Sequence, residues 1–239
     1  MHPTGSFEIV ESCLTCPVRH QRMFCDLPDD ALKALEAIKV TTAYPKGALL
    51  CMEGQPARGI FLLCTGRAKI SVGAEDGKTV ILHIAEPGEA LGVTAVVEGK
   101  NYDATVETLE PTQTSFISRQ DFVAFLTKYS SVGMKLVSQL SRNCKQAYDE
   151  IRCMGLSASV PQKLARLILH WSEHPLASRK GPAQIRVTLT QEEIAQSIGT
   201  TRETVSRTLG GFRRDGWLTI KGSLWTLANK PALERLVGN

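Results

Sequence analysis

Between Thr41 and Ser118 the sequence is a series of short apolar or alternating stretches: "GALLCMEG", "GIFLLCTGRAKISV", "EDGKTVILHIAEPGEALG", "ATVETL" and "QTSFIS". Glycines at 54, 59, 66, 88 and 92 cut them apart. Runs of this length between turn residues read as strands of an antiparallel sandwich or jelly roll, with Asp76-Gly77 as a two-residue hairpin signal. Ahead of this region, "LPDDALKALEAI" places Leu32, Leu35 and Ile38 at helical spacing behind an acidic first turn, which predicts one short helix.

After the strands the texture changes. Residues 121–155 contain no proline and end in Gly155, which predicts a short helix followed by a long one. Val137, Leu140, Cys144, Ala147, Ile151 and Met154 recur at alternating spacings of three and four, a heptad seam that fits a two-stranded coiled coil and therefore a homodimer. The alternative is a helix packed on its own domain. "SVPQKLARLILHWSEH" then gives a helix with Leu164, Leu167, Ile168 and Trp171 on one face, followed by the loop "PLASRKGPAQ".

The stretch "LTQEEIAQSIGTTRETVSRTLGGFRRDGWLTIKGSLWTLAN" holds two helix starts about ten residues apart. Thr190 with Glu193, and Thr200 with Glu203, both have capping-box spacing, and "IGTT" is the turn between the helices. Ile194, Ala195 and Ile198 on the first helix can bury against Val205, Leu209 and Phe212 on the second. This is a helix-turn-helix pattern whose second helix presents Arg202, Glu203, Ser206 and Arg207, with Thr201 at its start. Arginine can donate two hydrogen bonds to a guanine edge and a carboxylate can accept from cytosine, so the set suits major-groove reading. A solvated Glu203–Arg207 pair is the plain alternative. Two short strands around Lys221-Gly222 form a wing, and Arg213, Arg214 and Lys221 are candidates for phosphate contact.

Charge supports a polyanionic partner for this region. Residues 157–239 carry a net +6 and residues 1–156 a net −2. At 239 residues the chain has room for about two domains, and no apolar run approaches the length of a membrane span. The N-terminus lacks the basic start and apolar stretch of a signal peptide, so a cytoplasmic location is expected. Seven cysteines without an export signal argue against a disulfide framework and for metal or redox use.

Three of them, Cys13, Cys16 and Cys25, lie with His20 on a short N-terminal arm, "ESCLTCPVRHQRMFC". Thiolates so close in sequence suit an iron-sulfur cluster, since each iron wants a soft anionic ligand. A Cys3His zinc site, a redox-switched disulfide with Arg19 and Arg22 lowering a thiol pKa, and an arm without cofactor are the rivals. Cys51 and Cys64 lie in apolar strand contexts and read as buried structural thiols.

The order of parts and "TRETVSRTLGGFRRDGWL" resemble the cyclic-AMP receptor protein and fumarate-nitrate reduction regulator (CRP/FNR) family. The resemblance implies an α+β chain in four parts: a cysteine arm (1–26), a jelly-roll, cyclic-nucleotide-binding-like β-roll sensor (27–125), a dimerisation helix (126–156) and a winged helix-turn-helix (157–239). It implies a transcription regulator, not an enzyme, that binds double-stranded DNA at inverted half-sites containing TGA and meets RNA polymerase. Glu203 and Arg207 take the positions that read the core base pairs.

The cyclic-AMP branch needs a Gly-Glu and an Arg-Ser pair in its pocket, and here Val93 and Tyr102-Asp103 stand in those places, which argues against cyclic AMP. The arm resembles the FNR branch, whose cysteines help hold a four-iron, four-sulfur (4Fe-4S) cluster. That branch's fourth cysteine falls near Ser115, and no cysteine lies between 64 and 144. The fourth ligand is then Cys51, Cys64, His20, a carboxylate or an exogenous group. A regulator holding haem or an organic effector in the β-roll, with His83 as a conceivable ligand, is the second reading. His83 is the lone histidine between 21 and 169, too few for a jelly-roll metalloenzyme.

Overall fold

The acidic start and the Leu32/Leu35 spacing of the first predicted helix produce α1 (Asp29–Ile38), with both leucines fully buried. The computed structural model describes residues 12–22, 24–74, 77–155, 159–173 and 183–238; the side chains of 146, 149–155 and 173 are outside the description. By internal contacts the chain divides into two units, 1–147 and 148–239.

The strands of the first unit are β1 (Lys39–Tyr44), β2 (Leu49–Cys51), β3 (Gly59–Thr65), β4 (Ala68–Gly73), β5 (Thr79–Ala85), β6 (Ala90–Leu91), β7 (Thr105–Thr108) and β8 (Thr112–Ser118). They form two antiparallel four-stranded sheets, ordered β1-β8-β3-β6 and β2-β7-β4-β5. This is the predicted β-roll. The β4–β5 hairpin forms, with Val72 opposite Val80 and Gly77 at φ +81°; Asp76 lies outside the described residues. A helix the sequence reading did not identify, α2 (Val93–Glu98), follows β6, and α3 (Arg119–Lys128) and α4 (Ser130–Gly155) are the predicted short and long pair.

In its first half α4 has two distinct faces. Val132 and Leu136 are buried in the β-roll core, and the Gln139 amide accepts from Ala90 N at 2.9 Å and donates to Ala90 O at 2.8 Å. The seam residues point elsewhere: Val137 is 54% and Leu140 39% exposed, and Cys144 and Ala147 are exposed too. Packing on its own domain is therefore done by a different stripe from the heptad seam. The side chains of Ile151 and Met154 lie outside the described residues.

The arm is not an appendage ahead of the fold, as its composition suggested. Phe24 is fully buried and Cys13, Cys25 and Leu27 join the same apolar cluster as Leu32, Leu62 and Ile117. Apolar residues scattered at 13, 24, 25 and 27 have no periodicity of their own, so only the three-dimensional core reveals that they are part of it.

The second unit contains α5 (Val160–Glu173), β9 (Gln184–Arg186), α6 (Gln191–Ile198), α7 (Arg202–Arg214), β10 (Leu218–Lys221), β11 (Leu224–Leu227) and α8 (Lys230–Val237). Leu164 and Ile168 of α5, Ile194 and Ile198 of α6, and Val205, Leu209 and Phe212 of α7 form one core. The wing is a three-stranded sheet, β10-β11-β9. Strand β9 and helix α8 carry too short a pattern to be seen in sequence, and most of the predicted loop at 175–184 lies outside the described residues.

Candidate DNA interface and cysteine site

Helix α6 starts with a complete capping box: Glu193 N–H donates to Thr190 Oγ1 at 3.2 Å, and Thr190 N–H donates to Glu193 Oε2 at 2.8 Å. It ends at Gly199, in the left-handed region at φ +64°. The second predicted capping box is corrected. Thr200 N–H is taken by Ala195 O at 3.0 Å, closing α6, so α7 begins one residue later. Its cap is Thr201, whose hydroxyl accepts from Thr204 N–H at 3.3 Å. Glu203 bonds to its own backbone and the Thr201 side chain, which holds its carboxyl below the usual range.

Arg202, Glu203, Ser206 and Arg207 are all exposed and line one shallow concavity with Gly210, Arg214 and Gln191. Gln191, the first residue of α6, was missed in sequence because nothing in its local pattern brings it beside α7. No Glu203–Arg207 ion pair is found among the described residues, so Arg207 keeps its donors available. Arg213 is exposed on α7 outside the concavity, and Lys221 is exposed at the wing tip beside Gly222, φ +58°. Phe212 stacks on Trp217 at 5.3 Å between ring centroids, tying α7 to the start of the wing.

Gly211 sits inside α7 with ordinary helical geometry, and a Cβ there would meet nothing within 4 Å. Glycine inside a helix costs about 0.5–1 kcal/mol relative to alanine. Gly211→Ala should therefore raise unfolding stability by about that amount, as read by urea denaturation of this unit's tryptophan fluorescence.

Cys13, Cys25, Cys51 and Cys64 are buried and Cys16 half-buried, all as free thiols. Lys39 Nζ lies 3.2 Å from Cys13 Sγ and 3.2 Å from Glu36 Oε2, with the lysine side chain almost fully buried. Cys13 N–H donates to Glu36 at 2.9 Å. The Arg22 guanidinium donates to Cys64 O and its stem passes under Gly88, where a Cβ would fall 2.7 Å from Arg22 Cβ.

Burial pushes the Cys13 thiol up to about 11 and Cys25 to about 12, and Cys64 also upward. For Cys13 and Cys25 that runs against the expectation that arginines activate an arm thiol. Arg22 does favour the thiolates of Cys25 and Cys64, but desolvation outweighs it. Such thiols are protonated at neutral pH and slow to attack a disulfide or peroxide.

Cys64 is buried, as its strand context suggested. It lies outside the apolar cluster, on a bulge where the β3–β8 register shifts between Leu63 and Thr65. Its Sγ lies 3.4 Å from Ser115 Oγ. Cys51, on the other sheet, points to Ala104 O at 3.9 Å with no second thiol among the groups acting on it. His20 is committed to Arg19 Nε at 3.1 Å and Asp26 Oδ1 at 3.0 Å, which takes both ring nitrogens away from the thiols.

Among the described residues no three His, Cys, Asp or Glu side chains converge on a single ion. A zinc with thiolates at about 2.3 Å needs its sulfurs about 4 Å from one another. A four-iron cluster places each thiolate on a different corner, so its ligands stand farther apart. The free thiols Cys13 and Cys64 lie beside Lys39 and Arg22, cations that suit the anionic thiolates a cluster would require.

The residues that stand at the cyclic-AMP branch's pocket positions, Val93 and Tyr102-Asp103, are not alike in burial. Tyr102 is buried, its hydroxyl donates to Gly59 O at 2.6 Å, and its ring lies where a Cβ on Gly92 would fall, 2.7 Å away. Val93 is buried and Asp103 exposed. His83, the conceivable haem ligand, is paired to Glu89 at 2.9 Å.

A β-roll followed by a winged helix-turn-helix with a basic, concave recognition face defines a DNA-binding regulator. Residues 41–129 match the cyclic nucleotide-binding domain and residues 162–236 the Crp-like helix-turn-helix domain. The chain belongs to the CRP/FNR family of transcription regulators, a family of DNA-binding proteins and not of enzymes, whose members are typically dimeric.

It is 23% identical over 213 residues to a CRP-like cAMP-activated global transcriptional regulator of Mycobacterium tuberculosis, covering 89% of this chain and 95% of that one. It is 25% identical over 194 residues to the fumarate and nitrate reduction regulatory protein of Escherichia coli K12, covering 81% and 77%. FixK2 from Bradyrhizobium japonicum shares the fold with a TM-score of 0.74 at 21% identity, over 84% of this chain and 98% of that one. Both branches of the family stand among the relatives at comparable identity. Among the described residues no helix is long and apolar enough to cross a membrane.

Proposed function

We propose that this chain is a homodimeric regulator of the FNR type that works in the cytoplasm and binds inverted TGA-containing half-sites. Its DNA affinity changes with oxygen or redox state through a 4Fe-4S cluster on Cys13, Cys16 and Cys25, and it acts with RNA polymerase. Arg202, Glu203, Ser206 and Arg207 read bases, while Thr201, Arg213 and Lys221 contact phosphate. The organisation behind this is an arm (1–26), a β-roll (27–125), a dimerisation helix (126–156) and the DNA-binding part (157–239).

The observation that carries the sensing half is the burial of Cys13 and Cys25 inside the β-roll core, with Cys13 beside a buried lysine side chain. Cysteines at the tip of a free tail could react without moving anything else. A 4Fe-4S cluster supplies one-electron redox chemistry and sensitivity to oxygen. Asp26, next to Cys25, is paired to Lys135 on α4 at 2.8 Å, and Gln139 ties α4 to β6. A rearrangement of the arm therefore acts on the helix that bears the seam. Because a dimer reads two half-sites about one helical turn apart, a small shift there is amplified in DNA affinity.

The test is anisotropy of a labelled duplex carrying inverted TGA half-sites, with protein purified without oxygen, before and after air. Affinity at least tenfold different between the two conditions is expected, along with iron and sulfide lost in air. Equal affinity in both conditions with an intact site preference would leave the DNA reading standing and overturn oxygen sensing.

A further inference from the structure

Three thiols on one arm leave a four-iron cluster one ligand short, and the tertiary structure brings a fourth thiol to them. Cys64 is the extra residue of the β3 bulge, with no partner in the β8 ladder. Bulges re-aim a side chain and are frequent beside functional sites. Here the freed carbonyl is taken by Arg22 of the arm, and the thiol turns to Ser115 on the neighbouring strand.

The face it occupies can be traced strand by strand. Thr41 Oγ1 on β1 lies 3.1 Å from Ser115 Oγ, so Thr41, Ser115 and Cys64 share one side of the sheet. Lys39, two residues before Thr41, shares it by the alternation of a strand, and Lys39 holds Cys13. The arm covers this face, and its backbone turn is closed by Cys25 N–H donating to Arg22 O at 3.0 Å. Lys39 and Arg22 supply positive charge for an anionic ligand set.

We infer that Cys64 on the β3 bulge is the fourth ligand of the cluster held by Cys13, Cys16 and Cys25. The inference rests on the iron-sulfur reading above and adds to it the residue that ties the arm to the β-roll. Each thiol gives up its proton as its bond to iron forms. Loss of the cluster would then release the arm from β3.

The experiment uses the full chain, reconstituted without oxygen from ferrous iron and sulfide. Iron, acid-labile sulfide, visible absorption and far-UV circular dichroism are measured for the unmodified protein, C51S, C64S and C64S/S115C. About four iron and four sulfide are expected in the unmodified protein and in C51S, with the content at least halved in C64S at unchanged dichroism. The double variant returns a thiol to within one strand of the original and should restore the content.

C64S with undiminished iron, sulfide and absorption overturns the assignment while leaving the cluster reading intact. An unmodified protein that takes up neither iron nor sulfide overturns the cluster reading and the assignment with it. Should C64S not fold, C64A decides: iron and sulfide at least halved in a folded protein supports Cys64 as the ligand, and undiminished content overturns it.

Discussion

Leu140→Glu is expected to yield a folded but monomeric protein that no longer holds its operator at nanomolar concentration. Leu140 is 39% and Val137 54% exposed on α4, outside the stripe of Val132, Leu136 and Gln139 that binds the helix to its own β-roll, with Leu140 bordering that stripe one turn beyond Leu136. A glutamate there costs the isolated unit far less than one at buried Leu136. In a two-fold symmetric seam the same change appears twice, setting two carboxylates against each other in an apolar contact. An unpaired charge in such a place costs several kcal/mol, enough to dissociate a micromolar dimer.

Light scattering should give half the unmodified mass with unchanged circular dichroism, and anisotropy should show half-site binding alone. Leu136→Glu is the contrast: Leu136 is buried in the β-roll core, so that variant should lose folded structure. An unaltered dimer in Leu140→Glu would place the interface elsewhere.

Arg207→Ala is expected to cost about 1–3 kcal/mol at each half-site, hence about 2–6 kcal/mol for the dimer if the sites add. That corresponds to a loss of roughly 30-fold to more than 10⁴-fold in affinity. Arg207 is exposed in the concavity of α7, and Glu203, the partner it would have in a plain surface ion pair, turns back to Thr201. Its guanidinium therefore needs no release before it meets a guanine edge, where it can donate twice. The loss should be specific, relaxing the preference at one base pair. Arg213→Ala and Lys221→Ala should instead weaken all sequences alike and each reduce the salt dependence by about one ion. Competition with duplexes substituted at single positions separates the two outcomes.

Most of the DNA-binding part was legible in the sequence because its determinants are local. Helix starts are written in residues three apart, as at Thr190 and Glu193, and amphipathic faces in residues three and four apart. The one misplacement, Thr200 for Thr201 as the second cap, came from a competition for a single N–H that only the closure of α6 resolves. The β-roll was legible as a class, from strand length and turn glycines, but not as a pairing order. Helix α2 was hidden because six residues hold too little periodicity.

The cysteine site divides along the same line. Three thiols within thirteen residues are a sequence signal, and they pointed to metal or redox chemistry without any structure. Which other thiol the fold brings near the arm was not written locally. Cys51 and Cys64 occupy equivalent apolar contexts, and a one-residue bulge in β3 turns Cys64 toward the arm while Cys51 stays on the other sheet. Nor could periodicity say that α4 carries two stripes, one for its own domain and one left exposed. The sequence by itself determined the fold class, most of the elements and the helix-turn-helix on which the candidate recognition residues stand, because those depend on neighbours a few residues apart. Burial of Cys13, Phe24 and Cys25, the setting of Lys39, the packing of Tyr102 against Gly59 and Gly92 and the approach of Cys64 to Ser115 were decided by tertiary structure, since each joins residues far apart in the chain through packing that no local pattern encodes.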